Sequence, residues 1–330
     1  MVTVTLAQRK SAVLTPSGLA CLAGIPTINL TAGCAHGCLY CYSQGYSCYP
    51  GPGRVVVYAN TLEKLKSELT RKRKRPQAVY FSPASDLFQP VPEVLELAYV
   101  ILEYLLTQGI GVAFLSKGRI PERHMKLLRS KADMIRAQIG LVTLDANVAA
   151  RFEPGAPPPV DRMAQIRSLR AGGIRTQVRL DPILPGLTDD GEPLDGLLAA
   201  LAQAGVDCIA ASTLFLRPAL ANALKAALTE VECRNLLAHF KPSGRLAIHA
   251  ENSTVTALPP DHRRQILTRV ADVARRHGIL VKVCACKNPD LPSQCCGIAG
   301  DWPANGPQAI QHPLFPDIER TRHDPADSTE

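Results

Sequence analysis

The segment Thr31–Cys48, T-A-G-C-A-H-G-C-L-Y-C-Y-S-Q-G-Y-S-C, holds four cysteines, one histidine and three tyrosines within eighteen residues. Cys34, Cys38 and Cys41 stand at C-x3-C-x2-C spacing, which three chemistries can use. These are a disulfide, a zinc site and an iron–sulfur cluster. Reducing conditions disfavour the disulfide, because clustered thiols there more often bind metal or take part in catalysis. Zinc usually takes ligands in pairs and four in total, and His36, lying between two cysteines, would strain a tetrahedron. Three thiolates on a four-iron cluster leave one iron without a protein ligand, and an open position can bind and activate a substrate. The spacing favours an iron–sulfur cluster over zinc, with incidental thiols last.

A second group, C284-A-C-K-N-P-D-L-P-S-Q-C295-C296, places four cysteines within thirteen residues. Cys284, Cys286, Cys295 and Cys296 are candidate ligands of an auxiliary iron–sulfur cluster or a structural zinc. Adjacent cysteines rarely ligate one zinc together, so the cluster leads, and a redox-active disulfide or unliganded thiols follow. Cys48 is assigned to neither group. His249, Glu251 and Asn252 read either as a polar loop or as groups facing the same cavity.

The elements that must position these residues are those of an ordinary globular chain. Its 330 residues are 46% hydrophobic and 20% charged, enough for one large α/β domain or two small ones. No apolar run is long enough to span a bilayer, and the first residues lack the pattern of a secretory signal, so a cytoplasmic protein is expected. The net charge of +8 makes an acidic partner plausible. R71-K-R-K-R75 is its densest contribution, readable as a solvated helix end or as a nucleic-acid contact.

Strand-like and helix-like segments alternate from about 55 to 212, with strands expected near 27, 78, 112, 135, 174 and 206. Helices are expected over 61–70, with Thr61 as N-cap, and over 91–108, 121–130, 160–171 and 192–204. Short turns between such units argue a parallel sheet with chemistry at the carboxyl ends of its strands, in either a doubly wound sheet or a partial barrel. Beyond residue 213, helices are expected near 218–239 and 260–277 and a strand over 279–286, with a poorly ordered tail from about 305. The domain reading is a core over 1–215 and a C-terminal α+β extension over 216–330 carrying the cysteine-rich segment 284–296.

C34-A-H-G-C38-L-Y40-C41 resembles the cluster motif of the radical S-adenosylmethionine (SAM) superfamily. The likeness continues through Y80-F-S-P-A-S-D-L-F-Q-P90, L115-S-K117, the loop from Glu153 to Arg162 and L180-D-P-I-L-P-G-L-T-D189. Together these resemble the branch that contains spore photoproduct lyase and the relatives called DNA-repair photolyases. The resemblance implies a partial (β/α)6 TIM-like barrel and a [4Fe–4S] cluster on Cys34, Cys38 and Cys41. It implies reductive cleavage of SAM to a 5′-deoxyadenosyl radical, which abstracts hydrogen from a substrate, and an electron donor such as flavodoxin or ferredoxin. By position, Tyr40 would pack beside the adenine, Ser85 with Asp86 would contact SAM, Lys117 would lie near its carboxylate and Thr143 near its ribose. Without the resemblance, Ser85, Asp86 and Thr143 also read as turn caps.

S82-P-A-S-D86 offers no thiol where that branch carries a hydrogen-donating cysteine, which argues against thymine-dimer repair by that route. Cys208 is either a substitute donor or, as a buried strand residue, structural. The reading that follows is a radical SAM enzyme acting on an unidentified substrate with a nucleic-acid link. A non-catalytic iron–sulfur redox sensor or nucleic-acid binder is the alternative, and a zinc-stabilised binding module is a third.

Overall fold

Short, wholly apolar runs set between helical segments favour a parallel sheet buried on both faces. Ala78–Phe81 is such a run; in Ile135–Gly140 every residue is buried too, although Arg136 and Gln138 interrupt the apolar sequence. The computed structural model describes residues 2–22, 24–189, 191–242, 244–248, 253–298 and 302.

Strands β1 (Thr3–Ala7), β2 (Thr27–Ile28), β3 (Thr31–Ala32) and β4 (Arg54–Tyr58) precede helix α1 (Thr61–Arg71). Strands and helices then alternate through β5 (Ala78–Phe81), α2 (Pro92–Thr107), β6 (Gly111–Ser116), α3 (Glu122–Arg129) and β7 (Ile135–Gly140). After α4 (Ala146–Phe152) and α5 (Pro159–Ala171) come β8 (Arg175–Ile183), α6 (Gly191–Gln203) and β9 (Cys208–Thr213). The chain continues with α7 (Pro218–Ala227), α8 (Glu230–Ala238), β10 (Gly244–Ile248), β11 (Ser253–Ala257), α9 (Pro260–Arg276) and β12 (Leu280–Val283).

Seven strands form one sheet in the order β12-β9-β8-β7-β6-β5-β2, and every neighbouring pair is parallel. All six expected core strands are present, in a partial, TIM-like α/β arrangement. The expected strand at 279–286 is β12, and it joins this same sheet beside β9. The helix expected over 218–239 is two, because Thr229 opens α8 with a capping box to Glu232. Asn60, not Thr61, precedes the first turn of α1; Thr61 instead donates from its hydroxyl to the Tyr58 carbonyl at 2.6 Å. A small sheet β1-β4-β3 was not foreseen, and β3 leads directly into the first cysteine loop. Gly33, at φ +78, begins that loop; a Cβ there would lie 2.3 Å from the Arg54 carbonyl oxygen, so β4 excludes any side chain.

Alternation along the strands separates two apolar surfaces. Val79, Phe81, Val112, Phe114, Ile139, Val178 and Ile209 face the helices in the main core. Ala78, Tyr80, Ala113 and Ala210 face the other way, toward Cys21, Leu22, Cys296, Ile298 and Trp302. The chain beyond β12 therefore runs back along the inner face of the sheet. Arg136 Nη1 donates to the Ile298 carbonyl at 3.1 Å and Gln177 Nε2 to the Cys296 carbonyl at 3.3 Å. Trp302 lies on Gly111, where a Cβ would stand 2.4 Å from the ring, and the Arg136 guanidinium covers the ring at 4.1 Å. Small residues on the inner face make room for this segment. His249, Glu251, Asn252 and the tail from about 305 lie outside the described residues.

Candidate active site

A cavity of about 170 Å³ opens where β5, β6 and β8 end, and Cys34, Cys38 and Cys41 all line it. The loop carrying them is held by its neighbours rather than by its own secondary structure. Leu39 N donates to the Phe152 carbonyl at 2.9 Å, Gly155 N to the His36 carbonyl at 2.9 Å, and Ala35 N to Gln89 Oε1 at 2.8 Å. Gly155 lets the 153–158 loop approach this closely, since a Cβ there would meet the Ala35 carbonyl at 2.3 Å. His36 is buried, with Nδ1 3.0 Å from the Gly155 carbonyl and Nε2 3.2 Å from Asp86 Oδ2. Both ring nitrogens thus face acceptors, and His36 is a brace of the loop, not a fourth ligand.

Tyr40 is expected beside the cofactor, but its ring is buried off the cavity wall. Its hydroxyl donates to Glu153, whose other carboxylate oxygen accepts from Arg162. Arg162 also donates to the Gly140 carbonyl at 2.9 Å and to the Pro157 carbonyl at 3.0 Å. Burial pushes the Glu153 carboxyl up, and the adjacent Arg162 guanidinium opposes that. This fully buried pair ties the cysteine loop to the ends of β7 and α5.

Asp86 works in the same way on the other side. Its carboxylate accepts from Phe88 N at 2.8 Å, Ser116 Oγ at 2.7 Å, Lys117 N at 2.7 Å and Gly118 N at 3.3 Å. Burial would raise its pKa, yet His36 and the Lys117 and Phe88 amides hold it below the ordinary aspartate value. Asp86 is on the wall, but its oxygens are used by the protein, so it positions the loop that presents Lys117. Lys117 lines the cavity, its ammonium 5.3 Å from the Tyr40 ring centroid. Ser82 and Ser85 line it as well, and both hydroxyls are buried with no protein partner. Ser82 also has φ 56, a strained value for a residue with a side chain, directly after β5. Thr143 is off the wall; its hydroxyl accepts from Asp145 N at 3.0 Å, a turn-capping role at the start of α4.

The far wall was only partly foreseen. Cys284, Cys286 and Cys296 line it, but the fourth cysteine is Cys21, from the short turn before β2, and not Cys295. Cys295 is exposed and its sulfur accepts from Gly297 N at 3.3 Å. Arg179, Asp181 and Lys287 complete this side. Lys287 Nζ lies 2.7 Å from both Asp181 oxygens, and Arg179 Nη2 donates to Asp181 Oδ2 at 2.7 Å. Burial opposes ionisation of Asp181, but Lys287 and then Arg179 outweigh it and hold the carboxyl well below its usual range. Cys21 and Lys287 had no local signal, whereas Arg179, set between the buried Val178 and Leu180 of β8, was a readable one. Cys208 and Cys48 are both off the wall, Cys208 facing Gln177 Nε2 at 3.6 Å. The basic run Arg71–Arg75 is exposed just before β5 begins, at the opposite strand ends from Ser85 and Lys117.

The site suits a polar cofactor and a multi-iron cluster. Burial raises the Cys34 thiol well above its ordinary pKa and pushes Cys38 up to about 12, so their thiolates lack the counter-charge that a cationic metal core supplies. The unpartnered Ser82 and Ser85 hydroxyls call for a polar ligand in the cavity. Among the described residues, no three His, Cys, Asp or Glu side chains are drawn together as around one metal ion. The Radical SAM superfamily profile matches residues 28–208, which contain the three cysteines and every strand from β2 to the start of β9. The chain belongs to the Radical SAM superfamily. Membership implies a [4Fe–4S] cluster and SAM, and the chain is an enzyme.

Several proteins are similar to this chain. An uncharacterised protein of Mycobacterium tuberculosis is 28% identical over 260 residues, covering 76% of this chain and 74% of the relative. A radical SAM Nα-GlyT isomerase of Pseudomonas phage M6 is 31% identical over 173 residues, 52% of this chain and 36% of that protein. Among solved structures, spore photoproduct lyase with bound AdoMet and dinucleoside spore photoproduct has a TM-score of 0.62 at 15% identity, covering 84% of this chain and 81% of the other. That likeness shows the fold. Among the described residues no helix is long and apolar enough to cross a membrane.

Proposed function

We propose that the chain is a radical SAM enzyme in which Cys34, Cys38 and Cys41 hold the cluster and the adjoining cavity takes SAM and a substrate with an anionic or nucleic-acid-related group. The observation that carries this reading is the convergence of three buried-loop cysteines, Lys117 and two unpartnered serine hydroxyls on one cavity. Held by Cys34, Cys38 and Cys41, the cluster would supply when reduced the electron for cleavage of SAM to methionine and a 5′-deoxyadenosyl radical. Everything else falls to this chain's own residues. The Lys117 ammonium faces the cavity, where it attracts the SAM carboxylate, and Asp86 fixes the backbone that presents it. Ser82 and Ser85 offer hydroxyls to the polar groups of SAM. Leu115, Tyr80 and Ile298 give the wall an apolar part that keeps water from the reactive centre.

The substrate class rests on charge and on a structure of similar fold. Arg179 and Lys287 put positive charge on the far wall, suited to a phosphate or carboxylate. The lyase structure of similar fold holds a dinucleoside spore photoproduct, which favours a nucleic-acid link. The basic run Arg71–Arg75 is a separate polyanion contact in this reading, since it lies away from the cavity mouth. Reduction of the cluster calls for a flavodoxin- or ferredoxin-type donor in a reducing, cytoplasmic setting. A non-catalytic iron–sulfur sensor has no use for the unpartnered serines.

The test is anaerobic reconstitution with iron and sulfide, then dithionite reduction with SAM. Formation of 5′-deoxyadenosine, abolished by Cys38→Ala, is expected. Reconstituted protein that holds iron but forms none would overturn the reading.

A further inference from the structure

We infer that Cys21, Cys284, Cys286 and Cys296 form a second, fully protein-ligated [4Fe–4S] site on the wall of the cavity opposite Cys34, Cys38 and Cys41. The four sulfurs come from segments more than 260 residues apart, and the fold alone unites them. Cys21 N donates to Cys286 Sγ at 3.3 Å, across a sequence separation of 265. All four cysteines line the same cavity, and Cys21 and Cys296 pack in one cluster with Cys286 against it. Amide donors such as Cys21 N stabilise sulfur that carries negative charge, as in iron–sulfur clusters.

The surroundings are built to hold them. Cys284 N bonds the Ala211 carbonyl at 3.0 Å, which fixes it to the end of β9, and Asn288 Nδ2 bonds the Cys284 carbonyl at 3.1 Å. Arg263, fully buried on α9, pins the loop through Asp290 and through Asn288 at 3.4 Å. Four thiolates on a [4Fe–4S] core are net anionic and require a counter-charge. Arg179 supplies it: the residue is 7% exposed, lines the cavity, and its Nε has no protein partner. Lys287 adds a second positive charge, and Asp181, paired to both, partly offsets them.

A lone zinc fits less well, because no three of these sulfurs surround one point as a tetrahedral ion needs. With four protein ligands, this site would have no open iron. It differs in that from the SAM-binding site and does not depend on it.

The test separates the two sites by iron content after anaerobic reconstitution. Wild-type protein should hold about eight iron and eight sulfide per chain, and the triple variant Cys34→Ser, Cys38→Ser, Cys41→Ser about four of each. Added to that triple variant, Cys286→Ser with Cys296→Ser should remove the remainder, while Cys295→Ser should remove none. In wild-type Mössbauer spectra, SAM should alter only the iron of the first site. A triple variant that retains no iron would overturn the inference, as would one zinc per chain or a Cys21–Cys286 disulfide in its place. The triple variant leaves the second site unmutated, so its result stands even if the added substitutions prevent folding. Circular dichroism of each variant checks the fold.

Discussion

The two cysteine groups face each other across one cavity, yet they are built by opposite means. Cys34, Cys38 and Cys41 lie within eight residues on one loop, so their spacing in sequence is their spacing in space. Cys21, Cys284, Cys286 and Cys296 meet only because β12 joins β9 and the following chain returns along the inner face of the sheet. A local site needs bracing from outside, which the 153–162 loop gives. An assembled site depends on the whole fold, and its braces are spread over α9, β8 and the C-terminal segment. Local ligand sets can therefore be read from a motif, whereas assembled ones need the topology.

The strongest way to break the local site without touching a cysteine is Arg162→Met. It leaves Glu153 buried and unpaired beneath Tyr40, and should cost about 3–5 kcal/mol in denaturant unfolding. The matching change at the assembled site, Arg263→Met, should cost less, about 2 kcal/mol, because Asp290 is 32% exposed and can rehydrate. Equal losses would mean that the two braces are not different in kind.

Gly155→Ala sharpens the point. Its Cβ would push the 153–158 loop off Ala35 and His36, with a loss of about 1–2 kcal/mol and weaker iron retention by the first site only. Loss of iron from both sites would show that they are coupled.

How far the sequence could lead follows from these differences. The six core strands and the cysteine motif are legible because apolar runs, turns and short spacings are local signals; Ser85 and Lys117, reached through the resemblance, do line the cavity. Tyr40 and Thr143 were placed near the cofactor by position, but each is satisfied by a neighbour no local pattern reveals: Glu153 for one, Asp145 for the other. Cys295 joins the candidate set because it sits next to Cys296 in sequence, but it is exposed, and Cys21, far away in sequence, gives no local signal. The alanine and glycine residues at alternate positions of β5, β6 and β9 were a signal for a segment packed on the inner face.

The smallest expected effect concerns pH. Asp181 has a folded-state pKa below its unfolded value, so its stabilisation is present above the ordinary aspartate range and is lost as pH falls through the lowered folded value. Lys287→Ala removes the larger of its two favourable partners. The acid-induced loss of apo-protein stability that Asp181 contributes should then be smaller and complete at a higher pH than in wild type, as followed by thermal melting across a pH series. An unchanged loss would place the titration elsewhere.

The most direct measurement of the central claim is 5′-deoxyadenosine formed from SAM by the reconstituted, dithionite-reduced protein. Wild type and Cys295→Ser should form it, and Cys38→Ala should form none. Equal yields from Cys38→Ala and wild type would contradict the account.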